Sequence, residues 1–143
     1  IAEMPQDLWD TVIDLNLTST FRMTKAVLAH MQSGAIVNLA SQAARDGGGP
    51  GAVAYATSKG AVMTMTRGLA KELGPQGVTA NSIVLGLIDT VPEEFSKGAE
   101  KYFSTARIGT PADIGAAAVY LASEEAGWVT GHSLVVNGGF VGA

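Results

Sequence analysis

Three short strand-like runs, separated by helix-like stretches, constrain the fold of this chain more than any other feature. They cover residues 35–40, 78–85 and 133–136, and the first is nearly continuous in apolar side chains. Such a run is typical of a strand buried on both faces of a parallel sheet. The order helix, strand, helix, strand, helix, strand predicts parallel strands joined by right-handed crossovers. We therefore predict one α/β domain over residues 1–143, with a three-stranded sheet and flanking helices.

Helical periodicity and the punctuating residues set the helix boundaries. Apolar side chains recur at three- and four-residue spacing in the first helix, Pro5 lies just ahead of it, and Gly34 is expected to end it. Four glycines and Pro50 mark residues 42–52 as a loop. The predicted helices cover residues 7–32, 55–73 and 111–123, with one further short helix near 93–103.

Composition excludes several classes of protein. The chain has no cysteine, which excludes disulfide scaffolds, thiolate zinc sites and cysteine nucleophiles. A net charge of −4 with scattered basic residues argues against a nucleic-acid surface. The longest apolar stretch, at residues 114–122, is too short to span a membrane. Because no leader opens the sequence, we expect a cytoplasmic protein, and the start at Ile1 inside a helical pattern suggests a piece of something longer.

Two further site types are set aside. His30 and His132 are the only imidazoles and form no paired zinc motif, so we predict no metal site. Residues 49–54 fit the glycine pattern of a dinucleotide-binding turn, but the preceding strand ends eight or nine residues earlier. That pattern binds phosphate only directly after a strand. We therefore interpret it as a turn-rich loop that delivers Tyr55.

Tyr55 and Lys59 are the strongest candidates for chemistry. At a spacing of four they share one face of a helix, with side chains about 5–6 Å apart. An ammonium beside a phenol favours the phenolate. A tyrosine in this setting can donate a proton to a carbonyl oxygen or take one from an alcohol. The pair alone can also arise by chance in a chain with three tyrosines.

Ser41 and Asn16 each allow two interpretations. Ser41 follows the first strand, where parallel sheets bind ligands, so its hydroxyl could bond a substrate oxygen or cap a turn. Asn16 falls on the apolar stripe of the first helix. It could be a buried amide bonded to the backbone, or a residue that holds a water beneath the catalytic pair.

Together these residues resemble the short-chain dehydrogenase/reductase family over essentially the whole chain. The similarity lies in six ordered motifs, which are residues 9–21, 36–41, 55–59, 81–90, 107–114 and 130–139. The motif at 55–59 reads Tyr-Ala-Thr-Ser-Lys and matches the family's Tyr-x-x-x-Lys. The general pattern is similar to 3-oxoacyl-carrier-protein reductases and to sugar or alcohol dehydrogenases. The resemblance implies an oxidoreductase that moves a hydride between NAD or NADP and a small carbonyl or alcohol substrate.

The family's catalytic residues map onto four positions of this chain. By this resemblance, Tyr55 would be the general acid in reduction and the base in oxidation, and Ser41 would bond the reacting oxygen. Lys59 would favour the phenolate of Tyr55 and bind the nicotinamide ribose. Asn16 would hold a water that links Lys59 to solvent.

The resemblance also assigns the cofactor side of the site. The backbone at Gly86 and Ile88, with the Thr90 hydroxyl, would hold the nicotinamide carboxamide, and residues 91–107 would form a substrate lid. Leu85 stands where the family usually has a proline, which predicts a looser loop because proline fixes φ.

The family begins with strand–helix units that would precede Ile1. The chain therefore resembles the C-terminal part of a doubly wound, Rossmann-type sheet, without the N-terminal half that binds the cofactor phosphates and selects NAD or NADP. Two hypotheses follow. The chain is the catalytic part of an oxidoreductase, or it is a non-catalytic fragment or interaction module whose first strand offers an apolar edge. The resemblance implies a homo-oligomer, a dimer or a tetramer, under either hypothesis.

Overall fold

The three strand-like runs pair side by side as a parallel sheet in the computed structural model, which describes residues 1–140. The strands are β1 (Gly34–Ser41), β2 (Val78–Leu85) and β3 (Ser133–Val136), in the order β1-β2-β3. Ser41 lies opposite Leu85, and Leu85 lies opposite Val136. The carboxyl ends of all three strands therefore meet at one edge of the sheet. The predicted fold class, a three-stranded parallel α/β sheet with flanking helices, is confirmed.

Helices connect and cover these strands. Successive side chains of β2 are buried, so both of its faces are covered, and the two longest uninterrupted helices both pack against it. The helices are α1 (Gln6–Ile13), α2 (Ser19–Leu28), α3 (Ala43–Asp46), α4 (Val53–Leu73), α5 (Glu93–Ser96) and α6 (Pro111–Ala122), with 3₁₀ turns at Gly74–Gln76, Ala99–Tyr102 and Glu124–Ala126. Within residues 1–140, no helix is both long enough and apolar enough to cross a bilayer.

A buried hydrogen bond fastens α4 to β1. The side-chain amide of Asn38 donates to the hydroxyl oxygen of Thr66 over 2.9 Å, and the Thr66 hydroxyl donates to the carbonyl oxygen of Val62 over 2.8 Å. All three groups lie in the interior, where unpaired polar atoms are costly. This bond fixes the helix that carries Tyr55 and Lys59 against the strand that ends at Ser41.

The first helix differs from its prediction. The α-helical pattern over residues 7–32 is interrupted by a π-helical segment at Asp14–Thr18, and the helix ends at Leu28. Three side chains here donate to backbone carbonyl oxygens four residues earlier, namely Asn16, Ser19 and Thr20. Because such bonds compete with the backbone N–H groups for the same carbonyls, they account for the locally widened helix. Gly34, expected to end the helix, instead begins β1 with a φ of +121°.

One loop prediction and one helix prediction also need correction. Residues 42–52 contain a short helix, α3, which ends at Gly47 in the left-handed conformation that glycine adopts without a steric penalty. The helix expected near residues 93–103 is divided between α5 and the 3₁₀ turn at Ala99–Tyr102. Both elements are too short to show a helical period in the sequence.

Candidate functional site

A cavity of about 720 Å³ opens at the carboxyl ends of the strands. Hydrogen bonds join the strand ends there, because the backbone N–H of Gln42 donates to the carbonyl oxygen of Leu85 and that of Gly86 donates to the carbonyl oxygen of Val136. Five of the seven residues selected from the sequence line this cavity, namely Ser41, Tyr55, Gly86, Ile88 and Thr90. Asn16 and Lys59 do not line it. The topology thus gathers residues that are up to 49 positions apart (41 to 90) at one place.

Tyr55 and Lys59 lie in the first turns of α4 and face the same way. The Lys59 Nζ is 5.8 Å from the centroid of the Tyr55 ring, and Tyr55 is 38% exposed. Lys59 also donates a hydrogen bond of 3.1 Å to the carbonyl oxygen of Leu39 in β1. Burial lowers the pKa of Lys59 below its ordinary value, because a half-buried ammonium loses part of its hydration. A cation is therefore held close to the tyrosine ring by a contact to the sheet.

Ser41 is 8% exposed at the end of β1. Its hydroxyl oxygen accepts a hydrogen bond of 3.2 Å from the backbone N–H of Ala43, which is the turn-capping contact considered from the sequence. A hydroxyl has one hydrogen to donate besides the lone pairs that accept. Since the bond to Ala43 uses a lone pair, the O–H of Ser41 is available to an oxygen in the cavity. The two interpretations of Ser41 are therefore compatible.

Asn16 lies in the π-helical segment, which packs against α4. It is half-buried, and its side-chain amide donates to the carbonyl oxygen of Val12 over 3.0 Å. That bond is the backbone contact considered from the sequence. Short π segments within α-helices are frequent at functional sites. The structure therefore places Asn16 beside the helix of Tyr55 and Lys59, outside the cavity wall.

The segment after β2 is held in place on both sides. A Cβ on Gly86 would lie only 3.0 Å from the Cα of Asn137, so a side chain there would crowd the place where β2 and β3 end together. Further along, Ile88 pairs with Gly109, and the N–H of Asp89 donates to the Gly109 carbonyl over 2.9 Å. Leu85 stands where the resemblance expects a proline. The segment that follows it is fixed by its contacts with Gly109.

An ion pair supports the residues that hold this segment. Arg107 and Asp113 form two hydrogen bonds of 2.8 Å, and the Asp113 carboxylate also accepts from the N–H and hydroxyl of Thr110 at the start of α6. These bonds, with that from Arg107 as the largest, hold the pKa of Asp113 far below its usual range. The pair ties the start of α6 to the residues next to Gly109.

A side-chain network at the strand ends was not predicted from the sequence. The Asn137 amide donates to Gln42 Oε1 over 3.0 Å, and the Gln42 amide donates to Asp46 over 3.1 Å. Gln42 and Asp46 line the cavity, and Asn137 packs against Gly86. Gln42 directly follows Ser41, and Asn137 follows the last strand. The rule that ligands bind at the carboxyl ends of parallel strands could have identified both.

An aromatic wall was also missed. Tyr102, Phe103 and Phe140 line the cavity, and the rings of Phe103 and Phe140 lie 5.3 Å apart at an angle of 49°. Backbone bonds from Ser104 to Gly139 and from Thr105 to Gly138 join the two segments. Part of the stretch expected to form a lid, residues 91–107, therefore forms a wall of the cavity. The Phe103–Phe140 contact joins residues far apart in the sequence, and no local pattern predicts it.

The arrangement suits proton transfer to or from an oxygen. A phenol and a serine hydroxyl line one largely apolar cavity, and an ammonium lies beside the phenol. Hydrogen bonds are electrostatically stronger in such surroundings than in water. A carbonyl or alcohol oxygen between the two hydroxyl groups could accept two hydrogen bonds and exchange a proton.

Comparison with known proteins gives consistent matches along the chain. A family model described as enoyl-(acyl carrier protein) reductase matches residues 1–141. The chain is 42% identical to the short-chain reductase protein NovJ of Streptomyces niveus, over 97% of this chain and 58% of that protein. It is 35% identical to a 3-oxoacyl-[acyl-carrier-protein] reductase FabG of Vibrio harveyi, over 97% of this chain and 60% of that protein. The chain thus spans a little under two thirds of the length of these relatives.

Solved structures agree with this fold. A short-chain dehydrogenase/reductase from Brucella melitensis superposes with a TM-score of 0.88 at 33% identity, over 99% of this chain and 58% of that one. A blue fluorescent protein from a metagenomic library, solved in complex with NADPH, gives a TM-score of 0.92 at 35% identity. The match covers 99% of this chain and 60% of that one.

Proposed function

This chain belongs to the short-chain dehydrogenase/reductase family, and we propose that it is the catalytic part of an oxidoreductase that transfers a hydride between NAD or NADP and a carbonyl or alcohol substrate. One observation carries the proposal. Ser41, Tyr55 and the segment from Gly86 to Thr90 line a single cavity at the carboxyl ends of the strands. Ligands bind at that edge in open α/β sheets.

The residues present fit a nicotinamide group. Gly86 offers backbone without a side chain, Ile88 offers backbone held by Gly109, and Thr90 offers a hydroxyl, all on the cavity that Tyr55 lines. These three residues would hold the carboxamide, and Tyr55 and Lys59 would contact the ribose. When bound, the cofactor supplies or accepts the hydride.

Tyr55 and Ser41 act on the substrate oxygen, Tyr55 by proton transfer and Ser41 by a hydrogen bond. In reduction, the Tyr55 hydroxyl donates its proton to the carbonyl oxygen as that oxygen gains negative charge, and in oxidation the phenolate accepts it. The Ser41 O–H donates a hydrogen bond to the same oxygen and orients it. The bond from Ala43 restrains the position of the serine oxygen and leaves its hydrogen free to turn toward the substrate.

Lys59 and Asn16 would assist the tyrosine without contacting the substrate. Lys59 would place a positive charge near the oxygen from which the proton leaves, since its Nζ lies 5.8 Å from the centroid of the Tyr55 ring. Asn16 would hold a water that returns a proton from solvent to Lys59. The support for that role is the contact of its π-helical segment with α4.

A second candidate function is that of an interaction module. Within the described residues, β1 pairs only with β2, and Leu39 in β1 is 49% exposed. An exposed strand edge can pair with a further strand. This alternative predicts a chain that folds and associates but does not bind a nicotinamide cofactor by itself.

Cofactor titration separates the two candidates. NADH and NADPH are added to the 143-residue chain and binding is followed by the fluorescence of the reduced nicotinamide. Saturable binding supports the enzyme and contradicts the interaction module. Absence of binding in the chain, with binding and turnover in a longer protein that contains it, is expected of a catalytic part that needs the phosphate-binding half, and absence of binding in both supports the module.

Substitution of Tyr55 tests the chemistry. The variant is made in a longer protein that contains this chain. Tyr55→Phe removes only the hydroxyl, and we expect turnover to fall at least about 100-fold while cofactor binding persists, since general acid–base catalysis contributes factors of this size. Tyr120→Phe is the matched control, because Tyr120 lies on α6 outside the cavity. Full activity in Tyr55→Phe would exclude Tyr55 as the acid.

A homo-oligomer is part of the proposal. Phe21, Met23 and Val27 are exposed on α2, and a groove of about 410 Å³ lies between α2 and α4. Apolar surface of this kind favours association. Light scattering on the purified protein is expected to give the mass of a dimer or a tetramer, and Met23→Glu is expected to shift it toward the monomer.

A further inference from the structure

We propose, building on the function proposed above, that the substrate is a ketone or secondary alcohol whose non-reacting part is uncharged and aromatic or bulky. The aromatic wall of Tyr102, Phe103 and Phe140 would bind that part. Three observations carry the inference: the chemistry of the wall, the charge of the cavity lining, and the bonds already made by the one charged group there.

The wall is built for an apolar group. Phe103 is buried, its ring contacts that of Phe140 at 5.3 Å, and Tyr102 extends the surface toward solvent. Leu87, Ile88 and Ile114 also line the cavity. Aromatic pairs with offset or tilted geometry stabilise a complex beyond the effect of their buried area. A planar ring bound on this wall therefore gains the free energy of apolar burial and that of the aromatic contact.

The lining offers nothing to balance a negative charge. Among the described residues that line the cavity, Asp46 is the only charged one. Two lysines lie beside aromatic residues of the cavity but are not part of its lining. The Nζ of Lys101 is 5.0 Å from the centroid of the Tyr102 ring, and that of Lys59 is 5.8 Å from the centroid of the Tyr55 ring. A carboxylate or phosphate on the substrate would lose hydration without gaining a partner, which is strongly unfavourable.

The carboxylate of Asp46 already accepts two hydrogen bonds within the protein. One of its carboxylate oxygens accepts from the N–H of Gly48 over 2.9 Å, and the other accepts from the amide of Gln42 over 3.1 Å. These bonds fix the carboxylate at the cavity rim and add a negative charge that repels anions. The cavity therefore discriminates by repulsion as well as by apolar contact.

The test compares two ketones that differ in one charge. Acetophenone and 4-acetylbenzoate share the reacting carbonyl and the ring, and the second carries a carboxylate at the far end. Dissociation constants for the 143-residue chain are measured by ligand-observed NMR, and turnover is measured separately, with NADH and NADPH, in a longer protein that contains the chain. We expect acetophenone to bind at least ten-fold more tightly than 4-acetylbenzoate, and more tightly than 2-butanone, which lacks the ring.

Variants assign the preference to the wall. Tyr102→Ala is expected to weaken acetophenone binding about ten-fold, and Tyr102→Arg is expected to shift the preference at least ten-fold toward 4-acetylbenzoate. Tyr120→Ala is the matched control, because Tyr120 is 46% exposed against 48% for Tyr102 but lies outside the cavity. Lys101→Met is expected to leave the preference unchanged.

The binding and turnover results have separate meanings. If no ketone is reduced but acetophenone still binds selectively, the proposed oxidoreductase activity is wrong and the inference about the cavity stands. If 4-acetylbenzoate binds or turns over as well as acetophenone, the inference is wrong and the proposed activity is unaffected. Absence of binding by all three ketones, or an equal effect of Tyr102→Ala and Tyr120→Ala, would also overturn it.

Discussion

The ammonium of Lys59 donates a hydrogen bond of 3.1 Å to the carbonyl oxygen of Leu39, two residues before Ser41. This bond crosses from α4 to β1 and joins the helix of the proposed acid to the strand of the serine. The same ammonium lies 5.8 Å from the centroid of the Tyr55 ring. Lys59 therefore has a hydrogen bond to the sheet and a charge close to the Tyr55 ring, both made by the same ammonium.

Replacing Lys59 tests its electrostatic role. Lys59→Met keeps much of the side-chain length but removes the charge, and we expect turnover to fall at least about 10-fold, because the phenolate of Tyr55 loses its stabilising cation. Lys59→Arg retains the charge and should recover part of the activity. Lys71→Met, at an exposed position near the other end of α4, is the control. Equal turnover in Lys59→Met and wild type would contradict this role.

The lowered pKa of Lys59 predicts a change of stability with pH. Its ordinary pKa is 10.5, and burial lowers that value in the folded state. Between the two values the unfolded chain binds more protons, so this group's contribution to the free energy of unfolding rises as pH increases through that window. Urea unfolding from pH 7 to 10.5 should show this rise in wild type relative to Lys59→Met. A constant difference between the two proteins would rule the shift out.

Local patterns predicted the parts of the fold that local sequence determines. The apolar run of β1 and the four-residue spacing of Tyr55 and Lys59 need no information from elsewhere in the chain. The interruption of the first helix was missed because hydrophobic periodicity does not register side chains that bond backbone carbonyls, such as Asn16.

The unpredicted parts of the site depend on contacts between distant residues. Gln42 and Asn137 are 95 residues apart, and Phe103 and Phe140 belong to different loops. Their side chains meet only after the strand order β1-β2-β3 has formed. The sequence therefore supplied the candidate reacting groups, while the shape and polarity of the cavity required the tertiary structure.

Gly86 is expected to tolerate no side chain. In Gly86→Ala the new Cβ would lie 3.0 Å from the Cα and 3.3 Å from the carbonyl oxygen of Asn137, so the backbone at the end of β3 must move by a few tenths of an ångström. Overpacking of this kind typically costs about 1–3 kcal/mol. Gly115→Ala is the control, because a Cβ there meets nothing within 4 Å and α6 should gain up to about 1 kcal/mol. Urea unfolding gives both free energies, and equal changes would refute the steric explanation.

Substitution of Asn16 tests whether its side-chain amide is only structural or also positions a water. Asn16→Leu places an apolar side chain on an apolar helix face, so we expect the melting temperature to stay within a few degrees. If Asn16 holds a water for proton return, kcat should fall at least about 10-fold with KM unchanged, and the pH profile of kcat should shift. Asn16→Ser, which can still bond a water, should recover part of the rate. A large fall in melting temperature with unchanged kcat would identify a purely structural amide.

The lowered pKa of Asp113 predicts that the protein loses stability in acid. Its carboxylate accepts hydrogen bonds from Arg107 and Thr110, and its folded-state pKa lies well below the ordinary value of 3.8. The stabilisation is therefore complete above about pH 4 and is lost as pH falls toward the lowered pKa, where the folded carboxylate takes up its proton. Asp113→Asn should lower the melting temperature at pH 7, and its difference from wild type should shrink between pH 4 and pH 2. Glu72→Gln, on the exposed surface of α4, should show no such convergence.

Because Asp113 also anchors the residues beside Gly109, turnover in Asp113→Asn should fall at pH 7 while the protein remains folded, and unchanged turnover would show that the pair stabilises α6 without positioning Ile88.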